Sequence, residues 1–137
     1  MKMQFDIAGG DFSAAGGASS EVKKTLKQLN IPPATIRRIA VALYEAEVNV
    51  VAHAYSGVMS VEISPTNIWV QIADKGPGIP NIDKAMEEGF STASDHVRQM
   101  GFGAGMGLPN IKKNTDSMEL KSVPGEGTTL EITVNFN

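Results

Sequence analysis

The sequence contains no cysteine, two histidines and one tryptophan among its 137 residues. Without cysteine the chain can form no disulfide, no thiolate metal site and no cysteine nucleophile. Two histidines without cysteine also argue against a structural zinc site. No apolar run is long enough to cross a bilayer, and residues 1–6 lack the apolar segment of a signal peptide. We therefore expect a cytoplasmic protein with no membrane segment.

The composition predicts one folded domain that covers residues 1–137. Hydrophobic residues make up 42% of the chain and charged residues 20%, which is a globular balance at a length that supports a real core. The formal net charge of -3 argues against a direct nucleic-acid binder or a membrane-surface binder.

The hydrophobic pattern predicts an α+β two-layer sandwich, with a mixed sheet covered on one face by helices. Five strands and four helices follow from period-2 alternation and 3.6-residue periodicity. The predicted strands are 3–7, 58–63, 68–73, 118–123 and 128–136. The predicted helices run from a cap at Ser19 or Ser20 to Leu29, and over 35–55, 81–88 and 107–115.

The helix predicted over residues 35–55 is mostly apolar but carries a polar stripe. Glu45, Asn49 and His53 are spaced by four residues, so each step turns only about 40° around the helix. Burying a carboxylate and an amide without partners is costly. The stripe therefore indicates a functional site, a hydrogen-bonded core network, or a face that meets water, and the pattern does not choose among these.

Glycine and aspartate mark a candidate nucleotide site between residues 74 and 109. Asp74 ends a predicted strand and is followed at once by Gly76 and Gly78. Bare backbone of this kind can approach a ligand closely, and amide groups there attract phosphate. The competing interpretation is that such segments are ordinary turns and flexible loops. A second glycine segment follows at Gly103, Gly105 and Gly107. Neither glycine segment has the spacing of a P-loop or of a dinucleotide fingerprint.

The last predicted strand alternates strictly. Leu130, Ile132, Val134 and Phe136 fall on one face, and Thr128 shares their parity. The sequence therefore predicts that the Thr128 hydroxyl lies at the start of this strand, on the covered face of the sheet.

Four segments stand in a fixed order along the chain. They are Glu45-Xaa-Xaa-Xaa-Asn49, Asp74-Xaa-Gly76-Xaa-Gly78, Gly103-Xaa-Gly105-Xaa-Gly107 and Gly125-Xaa-Gly127-Thr128. This arrangement resembles the GHKL ATPase superfamily of gyrase, Hsp90, histidine kinases and MutL, whose ATP-binding domain has the Bergerat fold. The resemblance implies that ATP and Mg²⁺ bind here, beneath a lid at about residues 89–105.

The resemblance also implies a role for each position. Glu45 would be the general base and Asn49 the Mg²⁺ ligand. Asp74 would accept the adenine amino group, with support from Thr128. The glycines that would pass close to the base or contact the phosphates are Gly76, Gly78, Gly103, Gly105 and Gly107.

Within the superfamily, the sequence is similar to the anti-sigma-factor serine/threonine kinases and the RsbT-type switch kinases. This similarity is carried by the segments 76–80, 88–92 and Gly103-Ala104-Gly105 with Leu108-Pro109. We expect no helical phosphoacceptor segment of a histidine kinase before Ile36. The resemblance implies phosphorylation of a STAS-domain antagonist, binding of a sigma factor or phosphatase, and the option of a homodimer. Two alternatives are an ATP-dependent binding module without significant turnover and a stand-alone histidine-kinase-like ATPase domain.

Overall fold

The computed structural model describes residues 1–79, 82, 86 and 107–137. Its strands are β1 (Lys2–Ala8), β2 (Ser56–Ile63), β3 (Asn67–Lys75), β4 (Ser117–Val123) and β5 (Gly127–Asn135). Its helices are α1 (Gly17–Gln28), α2 (Pro33–His53), α3 (Gly107–Lys113) and a short 3-10 helix (Phe12–Ala14). The predicted helix over 81–88 and the predicted lid lie outside the described residues, apart from Ile82 and Met86. Among the described helices, none is both long and apolar enough to cross a membrane.

The strands form one sheet in the order β1-β2-β3-β5-β4. The two-layer α+β architecture is confirmed, but the expectation of a mixed sheet is wrong for the described strands, because all four pairings are antiparallel. The last strand explains the difference. Strands β3 and β4 run in the same direction, and β5 inserts between them, so each of them pairs with an antiparallel neighbour.

One face of the sheet is covered by the helices, with α2 at the centre between α1 and α3. Alternate residues of β5 point into this core, as the sequence predicted, with Leu130, Ile132 and Val134 buried. The matching positions of β2 and β3 are apolar and buried as well. At about 25 cal/mol per Å² of apolar area, this two-layer burial is the main stabilising term of the fold.

Helix α1 begins differently from the sequence prediction. The cap position is Gly16, which carries no capping side chain, and Ser19 lies inside the first turn. The capping acceptor is instead the carboxylate of Glu47 on α2. Its Oε2 accepts hydrogen bonds from the amides of Gly16 and Ala18 at 3.0 and 3.2 Å, and its Oε1 accepts one from Ser19 at 3.0 Å. The prediction of a serine cap at Ser19 or Ser20 was therefore wrong, because a distant carboxylate satisfies the amides that a cap would bind.

Candidate nucleotide site

The carboxylate of Asp74 lies at the end of the pairing between β3 and β5. That pairing stops at Ala73 and Thr129, so the next amide of β5 has no ladder partner on β3. The Thr128 amide donates instead to Asp74 Oδ1, at 3.0 Å. Burial raises the pKa of the Asp74 carboxyl above its ordinary value of 3.8, and the Thr128 hydrogen bond partly offsets that rise. Among the described residues, Asp74 Oδ2 is left without a hydrogen-bonding partner.

The Thr128 hydroxyl contacts a residue that the sequence analysis did not single out. Its Oγ1 lies 2.9 Å from Oγ of Ser122 on β4. The two residues face each other across the β4–β5 pairing. The parity of Ser122 within β4 placed it on the covered face, but the strand order that puts β4 beside β5 was needed to bring it near Asp74.

The segment after β3 is attached to β4 and to the β4–β5 turn by three hydrogen bonds. The Gly76 amide donates to the Glu126 carbonyl at 3.2 Å, and the Gly125 amide donates to the Pro77 carbonyl at 2.8 Å. The Ile79 amide donates to Ser122 Oγ at 2.6 Å. Backbone groups of the segment after β3 and of the β4–β5 turn are thus hydrogen-bonded to each other without any ligand.

Two positions in these segments require glycine. Gly78 has a φ of +75°, and a Cβ there would lie 2.6 Å from the Val123 carbonyl oxygen. Gly127 has a φ of +156°, and its Cβ would lie 2.1 Å from the Asp74 carbonyl oxygen. Side chains at these positions would be strained in conformation and would push the two strand ends apart. Gly76 is also crowded, since its Cβ would lie 2.9 Å from Ala54 Cα.

Asn49, in the middle of the polar stripe of α2, lies beside the start of α3. Glu45, Asn49 and His53 are each half-buried, and burial lowers the pKa of His53. Gly107, the first residue of α3, lies against Asn49, because a Cβ on it would come within 3.0 Å of Asn49 Oδ1. The structure thus brings Asn49 and Gly107 together, whereas Gly103 and Gly105 lie outside the described residues.

The residues present fit an adenine nucleotide and a magnesium ion. Asp74 offers an acceptor oxygen beside bare backbone, as recognition of an amino group requires. Asn49 offers an amide oxygen, a ligand type that Mg²⁺ accepts while it keeps water and phosphate oxygens. The described residues contain no cluster of three or more histidine and acidic side chains that could hold a metal.

Comparison with known families gives a match over most of the chain. The family model described as "Histidine kinase-, DNA gyrase B-, and HSP90-like ATPase" matches residues 34–137. That range contains every segment from which the candidate site was built.

Two curated relatives have similar sequences. The serine/threonine-protein kinase RsbT of Bacillus subtilis is 34% identical over 113 residues, which cover 80% of this chain and 79% of the relative. An anti-sigma F factor of Thermoanaerobacter sp. is 34% identical over 103 residues, which cover 72% of this chain and 68% of the relative.

Solved structures share the fold. A Mycobacterium tuberculosis structure of RsbU and RsbW domains matches with a TM-score of 0.66 at 15% identity, over 98% of this chain and 32% of that one. The chain therefore spans about a third of that protein. The mycobacterial sensor histidine kinase MprB matches with a TM-score of 0.55 at 16% identity, over 98% and 97% of the two chains.

Proposed function

Because the chain belongs to the family of histidine kinase-, DNA gyrase B- and HSP90-like ATPases, we propose that it is an ATP-dependent protein serine/threonine kinase. It acts as a partner-switching regulator that phosphorylates a STAS-domain antagonist and binds a sigma factor or a phosphatase as its effector. The names of two relatives, a serine/threonine-protein kinase and an anti-sigma F factor, support this proposal. The proposal places the protein in the cytoplasm, where ATP and sigma factors are found, and a homodimer is compatible with it.

The observation that carries the proposal is the state of the Asp74 carboxylate. One oxygen is held by the Thr128 amide at 3.0 Å, and the other has no partner among the described residues. An oriented carboxylate with one open acceptor is suited to an exocyclic amino group, which offers only donors. Gly76 and Gly78 lie next to it along the chain, where the absence of side chains lets the backbone pack closely against Ala54 and Val123.

In the mechanism we propose, the phosphates and the protein substrate bind at the part of the site formed by Glu45 and Asn49 of α2. Asn49 would hold Mg²⁺, which would supply positive charge to the phosphates. Glu45 lies one turn before Asn49 on the same helix and accepts the proton of the incoming serine or threonine hydroxyl. Proton acceptance of this kind contributes about 10²- to 10⁴-fold to a rate. Gly107 gives the nucleotide close access to Asn49, and Gly103 and Gly105 belong to the same proposed phosphate-binding segment.

Replacement of Asp74 by asparagine tests the nucleotide site. The variant keeps an oxygen for the Thr128 amide but can present an NH₂ group to adenine, so we expect ATP affinity to fall by about 10- to 100-fold. In the wild type, affinity should also fall as the pH drops through the raised pKa of Asp74, at a pH above the ordinary value of 3.8. The variant should show no such loss. Calorimetric titration with Mg-ATP across this pH range measures both effects, and equal affinity in the two proteins would contradict the assignment.

Transfer to a protein substrate tests the activity itself. The purified chain is incubated with Mg-ATP labelled at the γ-phosphate and with a STAS-domain protein from the same organism. We expect acid-stable label on a serine or threonine of that protein. ATP-dependent complex formation without transfer would instead support a binding module, and acid-labile label on a histidine-containing domain would support a histidine-kinase-like domain.

A further inference from the structure

We propose that Ser122 determines the base selectivity of the nucleotide site by fixing the direction of the Thr128 hydroxyl proton. This inference rests on the proposed function, because it concerns which purine the site accepts. Ser122 is a positioning residue in this account, since it acts on the base through Thr128.

The argument begins with the three contacts of the Ser122 hydroxyl oxygen. It accepts a hydrogen bond from the Ile79 amide at 2.6 Å. It lies 3.2 Å from the Gly127 carbonyl oxygen, with geometry suited to donation. It also lies 2.9 Å from Thr128 Oγ1, where either hydroxyl could donate. One serine side chain thus joins the segment after β3 to the start of β5.

These contacts can all be satisfied in only one way. A hydroxyl has one proton to donate and two lone pairs that accept. The Gly127 carbonyl can only accept, so the Ser122 proton must point to it. The Ile79 amide occupies one lone pair, and the other is left for a donor. Thr128 must therefore donate its hydroxyl proton to Ser122.

This arrangement fixes what Thr128 can offer to a ligand. With its proton committed to Ser122, Thr128 Oγ1 can only accept further hydrogen bonds. Thr128 shares the covered-face parity of the core residues of β5, and its amide already binds the Asp74 carboxylate. Two acceptors, Asp74 Oδ2 and Thr128 Oγ1, therefore stand at the same end of the site.

A pair of acceptors distinguishes the two common purines. The 6-amino group of adenine supplies two N–H donors, whereas the 6-oxo group of guanine is an acceptor and would be left facing acceptors. Sites built to bind a donor reject analogues that lack it, because buried polar groups are then unpaired. Without Ser122, the Thr128 hydroxyl could rotate and donate to the guanine oxygen.

The test is the ratio of the GTP and ATP dissociation constants. We expect Ser122→Ala to lower this ratio roughly 3- to 10-fold, the value of one net hydrogen bond. Ser122→Thr restores a hydroxyl and should restore the ratio. Ser117→Ala, an exposed serine at the start of the same strand, is the matched control and should leave the ratio unchanged.

A Thr128→Val background separates positioning from a structural effect. The valine has no hydroxyl to orient, so adding Ser122→Ala should leave the ratio of the Thr128→Val protein unchanged. The inference is overturned if Ser122→Ala weakens ATP and GTP equally, or if it shifts the ratio by the same factor in the Thr128→Val background as in the wild-type background. A wild type that binds neither nucleotide would overturn the proposed function as well, so the two failures are distinguishable.

Discussion

Helix α2 carries two glutamates two residues apart, which lie on different sides of the helix and differ in burial and in hydrogen-bonding partners. At about 100° per residue, Glu45 and Glu47 point about 160° apart, on opposite sides of the helix. Glu45 is half-buried, one turn before Asn49 on the same helix, and makes no hydrogen bond to the described residues. Glu47 is 3% exposed, on the side of α1, and accepts three backbone hydrogen bonds.

The difference shows that partners, and not residue type, decide what a carboxylate on this helix does. The buried carboxylate of Glu47 accepts three amide hydrogen bonds that stabilise the fold. Its removal would leave those amides without an acceptor. The proposed function instead uses Glu45, the half-buried carboxylate, as the proton acceptor. The two glutamates therefore make a matched pair, in which one mutation should affect activity and the other stability.

The largest effect expected is on phosphate transfer. Glu45→Gln removes the proposed proton acceptor and leaves the proposed adenine contact of Asp74 intact, so we expect transfer to fall about 10²- to 10⁴-fold, equivalent to roughly 3–5 kcal/mol. ATP affinity and the free energy of unfolding should change little. Single-turnover transfer assays, calorimetric titration and urea unfolding measure the three quantities. Transfer at the wild-type rate would remove Glu45 from the mechanism.

The next effect is on stability and belongs to Glu47. Glu47→Ala leaves the amides of Gly16, Ala18 and Ser19 without their acceptor, and we expect the free energy of unfolding to fall by about 2–4 kcal/mol. The control is Glu21→Ala, which removes an exposed carboxylate from α1 itself. Urea unfolding of the two variants beside wild type gives the comparison. If the two substitutions cost the same, the contacts of Glu47 add nothing to stability.

The sequence could predict the elements whose signal is local. Helix α2 and strand β5 were predicted within two residues at each end because their periodicities are long and regular. The α+β layers followed from element order, and the polar stripe at Glu45 and Asn49 stood out against an apolar helix.

Features that depend on contacts between distant segments could not be predicted. Glu47 binds amides about thirty residues earlier in the chain, and no local pattern predicts which distant groups its carboxylate contacts. The sequence also could not predict whether β4 or β5 pairs with β3, because the insertion of β5 depends on tertiary packing. The role proposed for Ser122 depends on that insertion, since only then do β4 and Asp74 flank the same strand end.

The smallest effect concerns a third carboxylate, which is exposed and ties α2 to the sheet. Asp116 Oδ1 lies 3.1 Å from Arg38 Nη2, and Oδ2 accepts the Asn135 amide at 2.7 Å. The Asn135 hydrogen bond, with Arg38, holds the pKa of Asp116 below its ordinary 3.8. A depressed carboxyl pKa stabilises the fold above the unfolded-state pKa, and this contribution is lost as the pH falls through the folded-state pKa.

We therefore expect Asp116→Asn to cost only about 0.5 kcal/mol at neutral pH, because the pair is exposed and screened. The difference from wild type should shrink as the pH falls toward the depressed pKa of Asp116. Urea unfolding at neutral pH and at about pH 3 measures it, with Glu21→Gln as the exposed control. A cost that stays constant across this pH range would show that the anchor does not depend on the charge of Asp116. Among the carboxylates compared, only Glu47 would then stabilise the fold through its charged hydrogen bonds.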